Sequence, residues 1–243
     1  MVEKVESIHL EKVGSTNTYA KEHYADFDLS KITCITADEQ TSGRGRFNRP
    51  WTSPKGVNIY LSFFFTLKKG KDLNNLAQIL ALSIANMLQK EGLTPQIKWP
   101  NDLLINRKKI AGILCEVVDL KEDFGVILGA GINVNMEKKE CDQIDQPATS
   151  FLIEGKKIYN RDILIDVLQK VFIKNYELYK QKGFNPFYTH YDALLLHKGE
   201  SITLKQNGES LSGILHSLNP DGRLNLLLPS GEIKTLSSGD IKK

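Results

Sequence analysis

The sequence is short of cysteine, of histidine in any ligand spacing and of long hydrophobic runs, and each shortage removes a class of protein. Its three cysteines, Cys34, Cys115 and Cys141, form no CxxC pair, and the first two sit inside apolar stretches, ITCIT and ILCEVV. An odd count without ligand spacing argues against a disulfide framework or a zinc module. It reads instead as buried, inert thiols in a reducing, cytoplasmic compartment. The five histidines show no HExxH spacing, which sets aside the zinc-hydrolase pattern. The opening residues MVEKVES lack the basic and apolar regions of a secretory signal. The richest apolar stretches, 59–67 and 76–88, are shorter than the roughly 20 residues that cross a bilayer or are broken by polar residues. The net charge of +3 is too small for a field that would attract nucleic acid over the whole surface.

What is present is a chain of 243 residues, 41% hydrophobic and 25% charged, long enough to bury a core without covalent staples. The positive charge is local. Residues 40–57 hold Arg44, Arg46, Arg49 and Lys55 and no acid, so the rest of the chain is slightly acidic.

Alternation predicts strands over 7–13, 31–37 and 57–66, the last with Val57, Ile59, Leu61, Phe63 and Phe65 on one face. Ser15, Thr16 and Asn17 offer capping side chains for a helix to about residue 26. Residues 39–56 read as a long loop. A helical stripe carries Leu73, Leu76, Leu80, Ile84, Met87 and Leu88 and closes at Gly92. Strands follow over 97–99, 103–106, 110–118 and 125–134. A long helix capped by Asn160 ends at Gly183. Beyond that, short strands over 201–205, 211–218, 224–228 and 233–236 alternate with turns such as Asn207-Gly208 and Pro220-Asp221-Gly222, the pattern of a small SH3-like β-barrel. The expected class is α+β, a mixed β-sheet flanked by helices over 1–192 with a small β-barrel over 193–243.

Three segments carry chemistry. In SGRGRFNRPW, residues 42–51, Gly43 and Gly45 permit close backbone approach, and Arg44 and Arg46 offer planar forks for carboxylate or phosphate oxygens. The spacing is neither a P-loop nor a dinucleotide fingerprint, so an RNA-contacting loop and an anionic small-molecule site both remain open. In IKWPNDLLINRKKIAGILCEV, residues 97–117, Asn101 and Asp102 sit at a turn. Their oxygens suit Mg²⁺, or simply an Asx-turn. Arg107-Lys108-Lys109 lead into Ile110-Ala111-Gly112, where a lysine could face solvent or a pocket. In VILGAGINVN, residues 126–135, Gly129 and Gly131 mark a close approach to the strand, and Asn133 and Asn135 could read a base edge.

Taken in order, these pieces resemble the biotin protein ligases. The resemblance rests on Ser15-Thr16-Asn17, Gln40 with Gly43-Arg44-Gly45-Arg46, Trp51, Lys98 to Leu103, Lys109 to Leu114 with Glu116, and Gly129 to Asn133. It spans almost the whole chain, including the β tail. It implies a fold of the class II synthetase-like kind and an ATP-dependent activation of biotin as biotinyl-5′-AMP. Transfer to one lysine of a biotin carboxyl carrier domain, as in acetyl-CoA carboxylase, would follow.

By the same resemblance, Arg44, Arg46, Lys109 and Asp102 are catalytic. Ser15, Thr16, Asn17, Gln40, Arg44, Gly45, Arg46, Lys109 and Gly112 face biotin, with Gly112 giving the ring room. Arg46, Trp51, Asn101, Lys109 and Asn133 face ATP or the adenylate, with Trp51 over the adenine and Asn133 at its edge. Asn101 and Asp102 serve Mg²⁺ or the incoming lysine. The family commonly has glycine where this chain has Asn48, a residue that tolerates left-handed backbone, and Pro50 stiffens the approach to Trp51. Members that are also repressors carry an N-terminal helix-turn-helix. Here Ser15-Thr16-Asn17 comes so early that a ligase without repressor activity or DNA partner is expected, as monomer or homodimer. The rivals are a lipoate or octanoyl ligase or transferase of the same superfamily and an RNA- or DNA-binding module. Against the latter, residues 191–243 hold six basic and six acidic residues.

Overall fold

The first apolar alternation becomes strand β1 (Val5–Val13), which runs parallel to β2 (Ile32–Gln40) after the crossover through α1 (Thr16–His23). The structure is a computed structural model describing residues 4–69, 73, 75–206 and 208–242, so Asn207 of the expected Asn207-Gly208 turn lies outside the described residues. Next come β3 (Ile59–Lys68), α2 (Leu76–Lys90), β4 (Gln96–Lys98), β5 (Asp102–Ile105), β6 (Lys108–Leu120) and β7 (Asp123–Ile132). The seven strands form one mixed sheet in the order β1-β2-β3-β7-β6-β5-β4.

Helices α3 (Lys138–Cys141), α4 (Phe151–Gly155), α5 (Arg161–Lys182) and α6 (Tyr188–Leu194) follow. The Asn160 side chain accepts from the amides of Asp162 and Ile163, and Gly183 ends α5 with φ of 65°, as the capping residues predict. The short helices α3, α4 and α6 were not foreseen. Ser15 does occupy the cap position of α1, but no side chain there caps the helix, because Thr16 and Asn17 are turned to other partners described below.

The two-residue period sorts the sheet into two faces. Ile59, Leu61, Phe63 and Phe65 of β3, Val126, Leu128, Ala130 and Ile132 of β7, and Ala111 and Ile113 of β6 join the core under α2 and α5, where the Phe63 and Phe172 rings stack at 4.4 Å. The opposite parity, Ser62, Gly112, Glu116, Gly129 and Gly131, faces the side of α1. Small and polar residues there leave room above the sheet.

Strands β8 (Ser201–Gln206), β9 (Glu209–Leu218), β10 (Leu224–Leu227), β11 (Ile233–Leu236) and β12 (Asp240–Lys242) form a separate antiparallel sheet in the order β11-β10-β9-β8-β12. The last strand, β12, was not foreseen. The turn at Gly222 docks this sheet on the first. The Gly222 carbonyl accepts from Gln78 Nε2 at 2.9 Å and from Trp99 Nε1 at 3.2 Å, and the Asp221 carbonyl accepts from Asn75 Nδ2 at 2.9 Å. Gly222 has φ of 84°, and a Cβ there would strike Asn75 and Gln78.

Gly231 has a similar φ of 86° with nothing within 4 Å of a built Cβ. Gly231→Ala should therefore cost about 1 kcal/mol for backbone strain alone. Gly222→Ala should cost roughly 2–3 kcal/mol, the excess coming from the disturbed dock. Urea denaturation of both variants measures the difference, and equal losses would mean that the dock contributes nothing. No helix among the described residues is long and apolar enough to cross a membrane.

Candidate active site

The floor of the site is made by glycines. Gly112 and Gly131 face each other across β6 and β7, and the Trp51 indole lies on them. A Cβ at Gly112 would come within 3.0 Å of Trp51 Cζ3 and 3.1 Å of Lys109 Cε, and one at Gly131 would run into the indole. The room expected at Gly112 for a ligand is thus occupied by Trp51 and Lys109. The Trp51 Nε1–H is buried with no acceptor among the described residues, a costly arrangement unless something else completes it.

Polar side chains close one end. Ser62 Oγ contacts Asn17 Oδ1 at 2.6 Å and Thr16 Oγ1 at 2.8 Å. Asn17 Nδ2 donates to Glu116 Oε2 at 2.9 Å, and Gln40 Oε1 accepts from the Thr16 amide at 2.9 Å. Gln40 Nε2 reaches Ser53 Oγ at 3.1 Å. Thr16, Asn17 and Ser62 are all buried, and a Cβ at Gly129 would strike Asn17. Ser15 lines the same cavity.

The basic segment is a small hairpin held by Trp51 N–H to Gly43 O at 2.8 Å and Gly45 N–H to Arg49 O at 2.8 Å. Asn48 is left-handed, φ 55°, as its residue type suggested, and Phe47 is too, φ 57°. Gly43 was expected to admit a ligand. Its missing Cβ instead makes way for Ser53 Oγ and the Trp51 carbonyl, so it serves the turn itself. Gly45 lines the cavity without any such crowding.

The charges of this hairpin are not equivalent. Arg44 Nη2 donates to both oxygens of Glu116 at 3.0 Å. Arg49 pairs with Asp240. Arg46 donates to two neutral acceptors, Asn101 Oδ1 at 3.1 Å and Gly239 O at 2.9 Å, and contacts no carboxylate among the described residues. Burial pulls its pKa below the ordinary guanidinium value, with Asp240 and Asp102 acting against this from a distance. A half-buried guanidinium without a counter-ion is a receptor for an anion. Beside it, Lys109 Nζ pairs with Asp102 Oδ1 at 2.9 Å and stands 5.3 Å from the Trp51 ring centre.

Trp51 and Lys109 also border a second cavity of about 210 Å³, lined by Thr52, Asn133, Gln146 and Ala148. Asn133 Nδ2 is committed to Thr149 O at 3.0 Å. The Asn101 amide donates to Ile113 O at 2.8 Å while its oxygen accepts from Arg46. Among the described residues no group of three or more His, Cys, Asp and Glu is placed to hold a metal ion. Burial pushes the Cys34 and Cys115 thiols up to about 12, so neither is a nucleophile near neutral pH.

The structure therefore gathers Ser15, Thr16, Asn17, Gln40, Arg44, Gly45, Arg46, Trp51, Asn101, Asp102, Lys109 and Gly112 around one cavity and places Asn133 in its neighbour. Sequence reasoning gave no role to Ser62, Glu116 or Asp240. A lone serine in the apolar run IYLSFFFT was the available signal for the first, and Glu116 was part of the resemblance as well as a lone acid in ILCEVV.

Comparison with known proteins bears on this arrangement. Residues 10–133 match the biotin/lipoate A/B protein ligase family, and residues 197–243 match the biotin protein ligase C terminal domain. The chain is 32% identical over 232 residues to the bifunctional ligase/repressor BirA of Escherichia coli, covering 94% of this chain and 71% of the relative. It is 30% identical over 239 residues to the biotin--[acetyl-CoA-carboxylase] ligase of Mycobacterium tuberculosis, covering 95% and 86%. The fold superposes on biotin protein ligase from Aquifex aeolicus in complex with biotin and ATP with a TM-score of 0.83 at 30% identity, over 98% of this chain and 97% of that one.

Proposed function

Because the chain belongs to the biotin/lipoate A/B protein ligase family and carries the C-terminal domain of the biotin protein ligases, we propose that its cavities perform the two half-reactions of an ATP-dependent biotin protein ligase. In the first, a biotin carboxylate oxygen bonds to the α-phosphorus of ATP and pyrophosphate leaves with the electrons of the broken P–O bond. In the second, the ε-amine of a carrier lysine bonds to the acyl carbon, AMP departs and the amine loses a proton. The observation that carries this reading is Arg46, a guanidinium without a carboxylate partner, in the cavity that also holds the buried polar cluster and Lys109.

Two anions must meet in the first step, and fixed cations in a sheltered site stabilise that approach. Arg46 takes the carboxylate–phosphate junction. Lys109 leaves Asp102 for the phosphate oxygens and offsets charge as pyrophosphate forms. Arg44, already neutralised by Glu116, shapes the biotin end. Thr16, Asn17, Ser62 and Gln40 present both donors and acceptors, which suit a ureido ring and would be left unpaired by a dithiolane.

Asn133 and the second cavity take the adenine. The first cavity has about 80 Å³ of free space, against the roughly 300–1,000 Å³ of sites that hold drug-sized ligands, so Trp51 leaves the glycine floor when substrates enter. Mg²⁺ arrives as the ATP complex. Asp102 and Asn101 offer it oxygens, the first once Lys109 has left and the second through the lone pair that Arg46 does not use.

The test is transfer to a biotin carboxyl carrier domain with ATP and MgCl₂, comparing biotin with lipoate. One biotinyl group on one lysine, with no labelling by lipoate, is expected. Labelling by lipoate alone would favour the lipoate branch of the family.

A further inference from the structure

Strand β12 belongs to the small C-terminal sheet, yet it reaches the basic hairpin. Asp240 pairs with Arg49, 191 residues away, and the carbonyl of the preceding Gly239 accepts from Arg46 Nη1 at 2.9 Å. Asp240 lines the same cavity as Asn101 and Lys109. Its side chain is only 15% exposed. Burial raises its pKa, but Arg49 and Lys242 outweigh that and hold the carboxylate below its ordinary range. Gly239 is itself fixed, since a Cβ there would strike the Leu204 side chain of β8.

We propose that Asp240 is a positioning residue for the adenylate, so that strand β12 completes a site otherwise built by the large sheet. Three guanidiniums within six residues repel one another, and the hairpin that carries them passes through two left-handed residues, Phe47 and Asn48. It holds its shape because each end is tied to a different body. Glu116 ties Arg44 to β6, and Asp240 ties Arg49 to β12. Between the two ties, Arg46 is aimed by neutral acceptors only and keeps its full charge for the ligand. Without Asp240, Arg49 is a second unpaired cation beside Arg46, and the Gly239 carbonyl loses the ion pair that keeps it under the Arg46 fork.

This inference rests on the adenylate reading above, and the experiment separates the two. The full chain is loaded with biotin, ATP and MgCl₂ and freed of small molecules by gel filtration, and release of biotinyl-AMP is followed by mass spectrometry. Asp240→Asn should release it at least 10-fold faster than wild type, Asp240→Glu should recover most of the retention, and Lys234→Ala on β11 should match wild type. Limited trypsin digestion without ligand should cut after Arg46 faster in Asp240→Asn, while its thermal midpoint stays close to wild type.

A wild-type chain that forms no adenylate overturns the functional reading and this inference together. A wild-type chain that retains adenylate, with Asp240→Asn retaining it as long, overturns this inference alone. If Asp240→Asn fails to fold, Asp240→Glu decides: retention near wild type supports the positioning role, and release no slower than from Arg49→Ala contradicts it.

Discussion

Lys109→Ala lowers the rate of biotinyl-AMP formation by about 10²–10³-fold, the usual loss when one fixed donor to a developing anion is removed. Lys109 stands near the start of β6, its side chain 18% exposed, held at 2.9 Å by Asp102 and over the Trp51 ring. Arg44 and Arg49 are committed to Glu116 and Asp240, and Arg46 is held between Asn101 and Gly239, so the hairpin does not make up for a lost ammonium beside Asp102. The fold should survive. The backbone of Lys109 keeps its bonds to Pro147 and Thr149. Pyrophosphate release in a single turnover measures the effect. Lys109→Arg should not restore the rate, because a broad planar guanidinium does not replace the compact ammonium that leaves Asp102 for the phosphate oxygens. A wild-type burst of pyrophosphate from Lys109→Ala would remove Lys109 from the chemistry.

Arg46→Gly produces the second large effect, and it appears in retention. The guanidinium lacks a carboxylate partner, so its favourable interaction is deferred until the mixed anhydride forms. Losing such a charge-assisted pair costs roughly 3 kcal/mol, or about a 10²-fold faster escape of biotinyl-AMP. The variant should still make the adenylate and then biotinylate lysines on bystander proteins, which wild type spares. Mass spectrometry of an inert protein mixed with either enzyme reads this directly. Equal bystander labelling would contradict the assignment of Arg46 to the anhydride.

How far the sequence foretold this site follows from the range of its interactions. Strand periodicity already put Ile59, Leu61, Phe63 and Phe65 on one face of β3, and Gly129 and Gly131 already marked a close approach to β7. The capping residues of α5 and the left-handed Asn48 were legible for the same local reason. The occupant of the glycine floor was not, because Trp51 reaches Gly131 across 80 residues of chain. Ser62 stood out only as a polar interruption of an apolar run, and Glu116 entered the resemblance without a role. Their partners, Asn17 and Arg44, are brought to them by the β3-β7-β6 order, which no local pattern encodes.

Asp240 gave no signal at all: an acid in a short, turn-rich tail reads as surface. The short helices α3, α4 and α6 escaped because segments of four to seven residues show too little of the 3.6-residue period. The net charge misled in one respect. The basic segment is +4 along the sequence, but Glu116 and Asp240, from two different sheets, neutralise Arg44 and Arg49 and leave Arg46 and Lys55.

The most direct test of this account is the first half-reaction in isolation. The wild-type chain is mixed with stoichiometric biotin, ATP and MgCl₂ without a carrier, and the protein fraction from gel filtration is analysed after denaturation. The account predicts close to one biotinyl-5′-AMP per chain, an equal amount of pyrophosphate in the flow-through, and none of either when biotin is omitted. Protein that hydrolyses ATP without biotin, or that holds biotin and ATP side by side with no anhydride formed, would contradict it.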